Sequence, residues 1–67
     1  MQGEDTLLSK ELIIESKKYY FDLKENANGK FLRITEKRSG GKSRIIIPVS
    51  GLSDVAGIVR EMGEAVD

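Results

Sequence analysis

The sequence predicts an α+β fold: one four-stranded antiparallel sheet followed by a single C-terminal helix. Three observations carry that expectation. Isoleucine, tyrosine, phenylalanine and valine cluster in short runs separated by Ser-Lys, Asn-Ala-Asn-Gly and Ser-Gly-Gly breaks. Those breaks are short, so consecutive strands are antiparallel neighbours in a meander. After Pro48 the apolar spacing changes from a strand period to a helical one.

The first strand is placed at roughly residues 7–15, "LLSKELIIE", after a flexible N-terminus over 1–6. The second falls at roughly 18–25, "KYYFDLKE", and the third at roughly 30–37, "KFLRITEK". The fourth covers roughly 43–49, "SRIIIPV". Pro48 has no N–H to give a ladder, which puts it at the end of that strand or on an edge. Leu52, Val55, Val59, Met62 and Val66 then recur at helical spacing. Ser50 or Ser53 can cap the helix, and Asp54 suits the positive end of its dipole. Gly57 and Gly63 each weaken it by roughly 1 kcal/mol relative to alanine. Such a helix needs tertiary support, and the expectation is that it lies on one face of the sheet.

Sixty-seven residues make one small domain. A chain this short buries only about 60% of the surface it exposes when unfolded. Small domains are usually secured by disulfides, a metal or a partner chain. There is no cysteine and no histidine, which excludes disulfides, thiolate metal sites and the commonest zinc ligand. A second chain is the staple that remains, so a homodimer is expected. No 18-residue apolar run is present, and acidic residues stand where a signal peptide carries positive charge. The expected location is cytoplasmic, with nucleoid association compatible.

The formal net charge of zero conceals an asymmetry. Ser16 to Arg44 holds nine Lys or Arg against three acids, whereas the rest of the chain holds two bases against eight acids. A basic middle between acidic ends points to a polyanion partner. A solvated mixed-charge surface accounts for it equally well.

Alternation divides the sheet into two faces. Tyr19, Phe21 and Leu23 share one side with Leu32, Ile34, Ile45 and Ile47, an apolar floor for the helix. Tyr20, Lys24, Phe31, Arg33 and Arg44 fall on the other. Bases stack on aromatic rings at roughly 1–3 kcal/mol each while cations neutralise phosphates. Asn26 and Asn28 add amides able to bond base edges or sugar oxygens. On the residues alone, a plain hairpin fits as well: Asn28-Gly29 tolerates positive φ, and Lys24 and Arg33 can simply solubilise an open face.

The stretch "YYFDLKENANGKFLRITE", residues 19–36, resembles the PUR repeat of the Pur-alpha family. That repeat runs from an aromatic strand through Asp-hydrophobic-Lys-Glu-Asn, a glycine turn and a Phe-Leu strand. A Gly-Gly and Lys-Ser-Arg segment follows, matched here by "SGGKSR". The similarity covers about residues 8–63 and implies the order β-β-β-β-α, with 7–67 forming a single repeat. Two repeats intertwine into one PUR domain. A single repeat, as in bacterial members, therefore implies an intertwined homodimer.

The resemblance further implies DNA-binding and RNA-binding to purine-rich single strands, in a transcriptional, translational or nucleoid role. It assigns nucleic-acid contacts to Lys24 and Asn26 and base stacking or separation to Phe31. Arg33 matches the basic residue two positions on, and Ser16 and Lys17 match the polar link before the aromatic strand. Glu15 departs from a neutral polar position, which weakens that part of the site. Tyr20 and Arg44 complete the expected set as a ring and a phosphate contact on the same face. The rival reading keeps the fold but turns its basic face to an acidic protein partner, since fold alone does not fix function.

Other motifs carry less. "SGGKS", residues 39–43, lacks the first glycine of a nucleotide-binding P-loop, with Glu36 in its place, and no helix follows it. It is read as a hairpin turn. Asp22, Glu25 and Glu36 are interspersed with lysines and are read as charge balance along exposed strand positions rather than as general bases. Neither catalysis, nor a cofactor, nor a small-molecule substrate, nor a metal site is expected.

Overall fold

In a computed structural model of the chain, residues 3–67 are described. Residues 1 and 2 of the expected N-terminal segment lie outside them. Four strands, β1 (Asp5–Ile14), β2 (Lys17–Asn26), β3 (Gly29–Arg38) and β4 (Gly41–Pro48), form one antiparallel sheet in the order β1-β2-β3-β4. A 3-10 turn, Val49–Gly51, leads into helix α1 (Leu52–Ala65). The meander and the terminal helix are as the sequence predicts. The strands reach further into the breaks than expected, and β1 begins at Asp5.

Each connection is a two-residue hairpin loop, because Ile14 pairs with Lys17, Asn26 with Gly29 and Arg38 with Gly41. Tight loops of this kind need unusual backbone angles. Gly29 (φ 132°) and Gly41 (φ 148°) supply them where β3 and β4 begin, and Glu15 (φ 56°) supplies one in the first loop. Pro48 pairs with Phe31 as the last residue of β4, the place expected for a residue without an N–H. Within β1 the register shifts between Thr6 and Leu8, so Leu7 is an extra residue in that strand.

The cross-strand pairs settle the two faces. Leu8, Leu23, Leu32 and Ile47 lie side by side, as do Phe21, Ile34 and Ile45, on the apolar side. The expectation that α1 covers this floor is not met. The helix packs against the 3-10 turn rather than across the sheet. Ile58, Val59, Met62 and Val66 project into solvent, and Leu8, Leu12, Ile14 and Ile45 are open on the sheet. Alternation identifies an apolar face but not which chain covers it, and the short turn after β4 carries the helix off the sheet edge.

The chain is accordingly thin and extended, 45 × 30 × 16 Å. Its radius of gyration of 13.6 Å exceeds the roughly 11 Å of a compact chain of this length. The expected serine cap is also replaced. Gly51 (φ −108°, ψ 3°) is the N-cap with no side-chain bond, Ser50 lies within the 3-10 turn, and Ser53 is already helical. Asp54 does sit in the first turn of α1.

Candidate nucleic-acid interface

The polar face of the sheet is built from rows of side chains running across the strands. At the β2–β3 hairpin, Thr6, Lys24, Phe31 and Pro48 form one row. Ser9, Asp22, Arg33 and Ile46 form the next, and Glu11, Tyr20, Thr35 and Arg44 the third. Ile13, Lys18, Lys37 and Lys42 close the far end. Register alone therefore brings Tyr20, Lys24, Phe31, Arg33 and Arg44 onto one surface.

The hairpin end is the most structured part. A cleft of about 320 Å³ opens there, lined among others by Asn26, Asn28, Phe31 and Arg33. Asn26 Oδ1 accepts the Asn28 backbone N–H at 2.9 Å, an Asx turn that shapes the loop. The same asparagine thus forms the turn and walls the cleft. Phe31 was expected to stand on the open surface. Instead it is the most buried side chain among the described residues, at 9% exposure, with the Arg33 guanidinium 5.6 Å from its ring centroid. Phe31 thus lines the cleft between the Arg33 guanidinium and its strand partner Pro48 with little of its surface open.

Arg33 is bound in turn by Glu4. Its Nη1 and Nη2 donate to the two carboxylate oxygens at 3.1 and 2.7 Å. Lys24 Nζ lies 3.6 Å from the same carboxylate and donates to Thr6 Oγ1 at 2.8 Å. The Glu4 carboxyl is held below the usual carboxylate range, first by the Arg33 hydrogen bond and then by the charges of Arg33 and Lys24. Arg33 Nε is buried with no hydrogen-bond partner among the described residues. Both terminal nitrogens of this guanidinium are already committed to one carboxylate.

Farther along, a trough of about 340 Å³ runs between Tyr20 and Arg33 on one side and Lys37, Lys42 and Arg44 on the other. Its one acid, Asp22, accepts the Ser9 hydroxyl at 2.6 Å. Lys18 lies 5.5 Å from the Tyr20 ring centroid and 3.0 Å from Glu11. The hydrogen bond and charge of Glu11 raise the Lys18 pKa. Lys37, Lys42 and Arg44 have no ion-pair partner among the described residues.

The expected residues do not all converge. Lys17 alternates to the apolar side, where it pairs with Glu36 at 3.5 Å, and Ser16 lies in the exposed β1–β2 loop. Both stand at the end of the sheet opposite the Phe31 cleft, roughly 20 Å away along β2 at strand rise. Lys18 and Lys37, which sequence reasoning did not include in the site, and Lys42, the lysine of the expected "SGGKS" hairpin turn, occupy that end of the polar face instead. Their parity with Arg33 and Arg44 was the available signal. Glu4 was also missed, and nothing local to it announces a contact with Arg33.

The polar sheet face thus combines a hairpin cleft, flanking cations and a buried aromatic ring. The family described as PurA ssDNA and RNA-binding protein matches residues 1–66. The chain belongs to this PurA family. Among curated relatives, Transcription factor Pur-alpha 1 of Arabidopsis thaliana is 55% identical over 47 residues, covering 70% of this chain and 16% of that protein. Transcriptional activator plp-1 of Caenorhabditis elegans is 30% identical over 66 residues, 98% of this chain and 29% of that protein. Transcriptional activator protein Pur-alpha of Homo sapiens is 47% identical over 45 residues, 66% and 14% respectively. This PurA-family chain therefore spans less than a third of the length of these relatives.

Proposed function

We propose that this chain binds purine-rich single-stranded DNA or RNA on the polar face of its sheet, as an intertwined homodimer with a regulatory or nucleoid-associated role in the cytoplasm. The observation that carries the reading is the hairpin cleft, where Asn26, Phe31 and Arg33 meet beside Lys24. An unpaired base enters the cleft against Phe31, with the asparagine amides reaching its edge. Phosphates take Lys24 and Arg33, and the strand continues along the trough past Tyr20 towards Arg44. Bases within a duplex are disfavoured because each must first be unstacked. Relatives named as transcription factors and activators support a regulatory role.

The dimer is supported by surface that a single chain leaves open. The accessible area is 5351 Å², against roughly 4,200 Å² for a compact monomer of this mass. The apolar sheet face and the apolar stripe of α1 are complementary in chemistry, and an intertwined pair lets each chain's helix cover its partner's sheet.

Titration of a purine-rich single strand tests the binding. Log affinity is expected to fall with log salt at roughly −0.7 per phosphate contacted. Phe31→Leu keeps most of the packing volume, at a cost under about 1.5 kcal/mol in stability. Loss of stacking should still weaken binding by roughly 1–3 kcal/mol per base. A flat salt dependence together with unchanged Phe31→Leu affinity would refute the reading. Glu4 already places a carboxylate against Arg33, which keeps an acidic protein partner as the second reading. Displacement of the bound strand by an acidic polypeptide at equal charge would favour that partner.

A further inference from the structure

Glu4 stands where the proposed ligand's phosphate must go. Its two oxygens take both terminal nitrogens of Arg33, and the carboxylate also lies within ion-pair distance of Lys24. A guanidinium fork receives a carboxylate and a phosphate with the same paired hydrogen bonds. The side chains of Arg33 and Lys24 are only 18% and 15% exposed, so they have little freedom to serve a second anion without releasing the first. Glu4 immediately precedes β1, and the extra residue at Leu7 lies between it and the regular part of the ladder. The carboxylate is thus attached to an edge strand at its end, the part of a sheet that frays most readily.

We propose that Glu4 is a built-in phosphate mimic that competes with nucleic acid for Arg33 and Lys24, so that binding requires its displacement. This rests on the nucleic-acid reading above. The device sets a threshold. A lone anion gains little by replacing a carboxylate already seated on both cations. A polyanionic strand that also reaches Asn26, Tyr20 and the lysines of the trough offsets the loss of the internal pair. The displaced Glu4 also uncovers the guanidinium that lies over Phe31, so phosphate capture and access to the ring are linked.

The test compares the full chain with Glu4→Gln and, as a control for charge alone, Glu11→Gln, which removes the acid paired with Lys18 on the same face. Binding of a purine-rich single-stranded DNA oligonucleotide is measured across a salt series. Glu4→Gln is expected to bind about three- to tenfold more tightly at low salt, with a slope steeper by roughly 0.7 as one further phosphate is engaged. Glu11→Gln is expected to gain less, and the Glu4→Gln gain should vanish in an Arg33→Gln background. Equal gains from the two glutamates, or a gain that persists without Arg33, would overturn the mimic while leaving nucleic-acid binding intact. Wild-type binding as tight as that of Glu4→Gln would do the same. Absence of binding in every variant would remove the parent reading and the mimic together.

Discussion

Asn26 and Gly29 close the β2–β3 hairpin between them, and the geometry of the cleft depends on both. Asn26 fixes the loop through its bond to Asn28 N–H, and Gly29 adopts φ 132°, which side chains disfavour. No atom lies near the position a Cβ would take at Gly29, so a substitution there is penalised by backbone conformation rather than by crowding. Gly29→Ala should therefore destabilise the fold by more than about 1 kcal/mol. Urea unfolding checks this, with an unchanged midpoint as the contrary result. Because Lys30 and Phe31 follow directly, the same variant should weaken strand binding beyond its effect on stability. That separates the hairpin's two duties, since a loop serving only as a connection would alter stability alone.

At the scale of elements, the pairing of β2, β3 and β4 sets three lysines abreast. Lys18 is directly opposite Lys37, and Lys37 directly opposite Lys42. Like charges facing each other across strands are destabilising by tenths of a kcal/mol up to about 1 kcal/mol. Glu11 relieves Lys18, but among the described residues no acid pairs with the other two. A row kept against its own repulsion is suited to a phosphate backbone. Lys37→Gln should raise thermal stability slightly, lower single-strand affinity, and make the salt slope shallower by roughly 0.7 if one phosphate is lost. Higher stability with unaltered affinity would assign the row to the solvated surface alone. The strands and their faces were legible in the sequence because turn chemistry and period-two alternation are local. Tyr20, Lys24, Phe31, Arg33 and Arg44 followed from parity. The burial of Phe31, the grip of Glu4 and the departure of α1 from the sheet were not legible. Each depends on what packs over a face, and the Glu4–Arg33 contact joins positions 29 apart in sequence.

For the whole molecule, the question is what holds a 16 Å thick chain together. Among the described residues only Phe31, on the polar face, is buried, while the apolar face is at most half-buried at Phe21, Leu23, Leu32, Ile34 and Ile47. Two features are left unmatched: a sheet face bearing exposed Leu8, Leu12 and Ile45, and a helix bearing exposed Ile58, Val59 and Met62. The excess surface over a compact monomer is of order 1,000 Å², comparable to the roughly 800 Å² each partner contributes to a standard interface. Folding and pairing should then be one event, with apparent stability governed by mass action. Melting temperature is expected to fall on dilution of the wild-type chain, measured by circular dichroism over a hundredfold concentration range. Met62→Lys places a charge on the helix stripe and should shift sedimentation towards monomer with loss of helical signal. A cooperative melt independent of concentration, in a chain that sediments as a monomer, would show that one copy finds another way to cover its own apolar face.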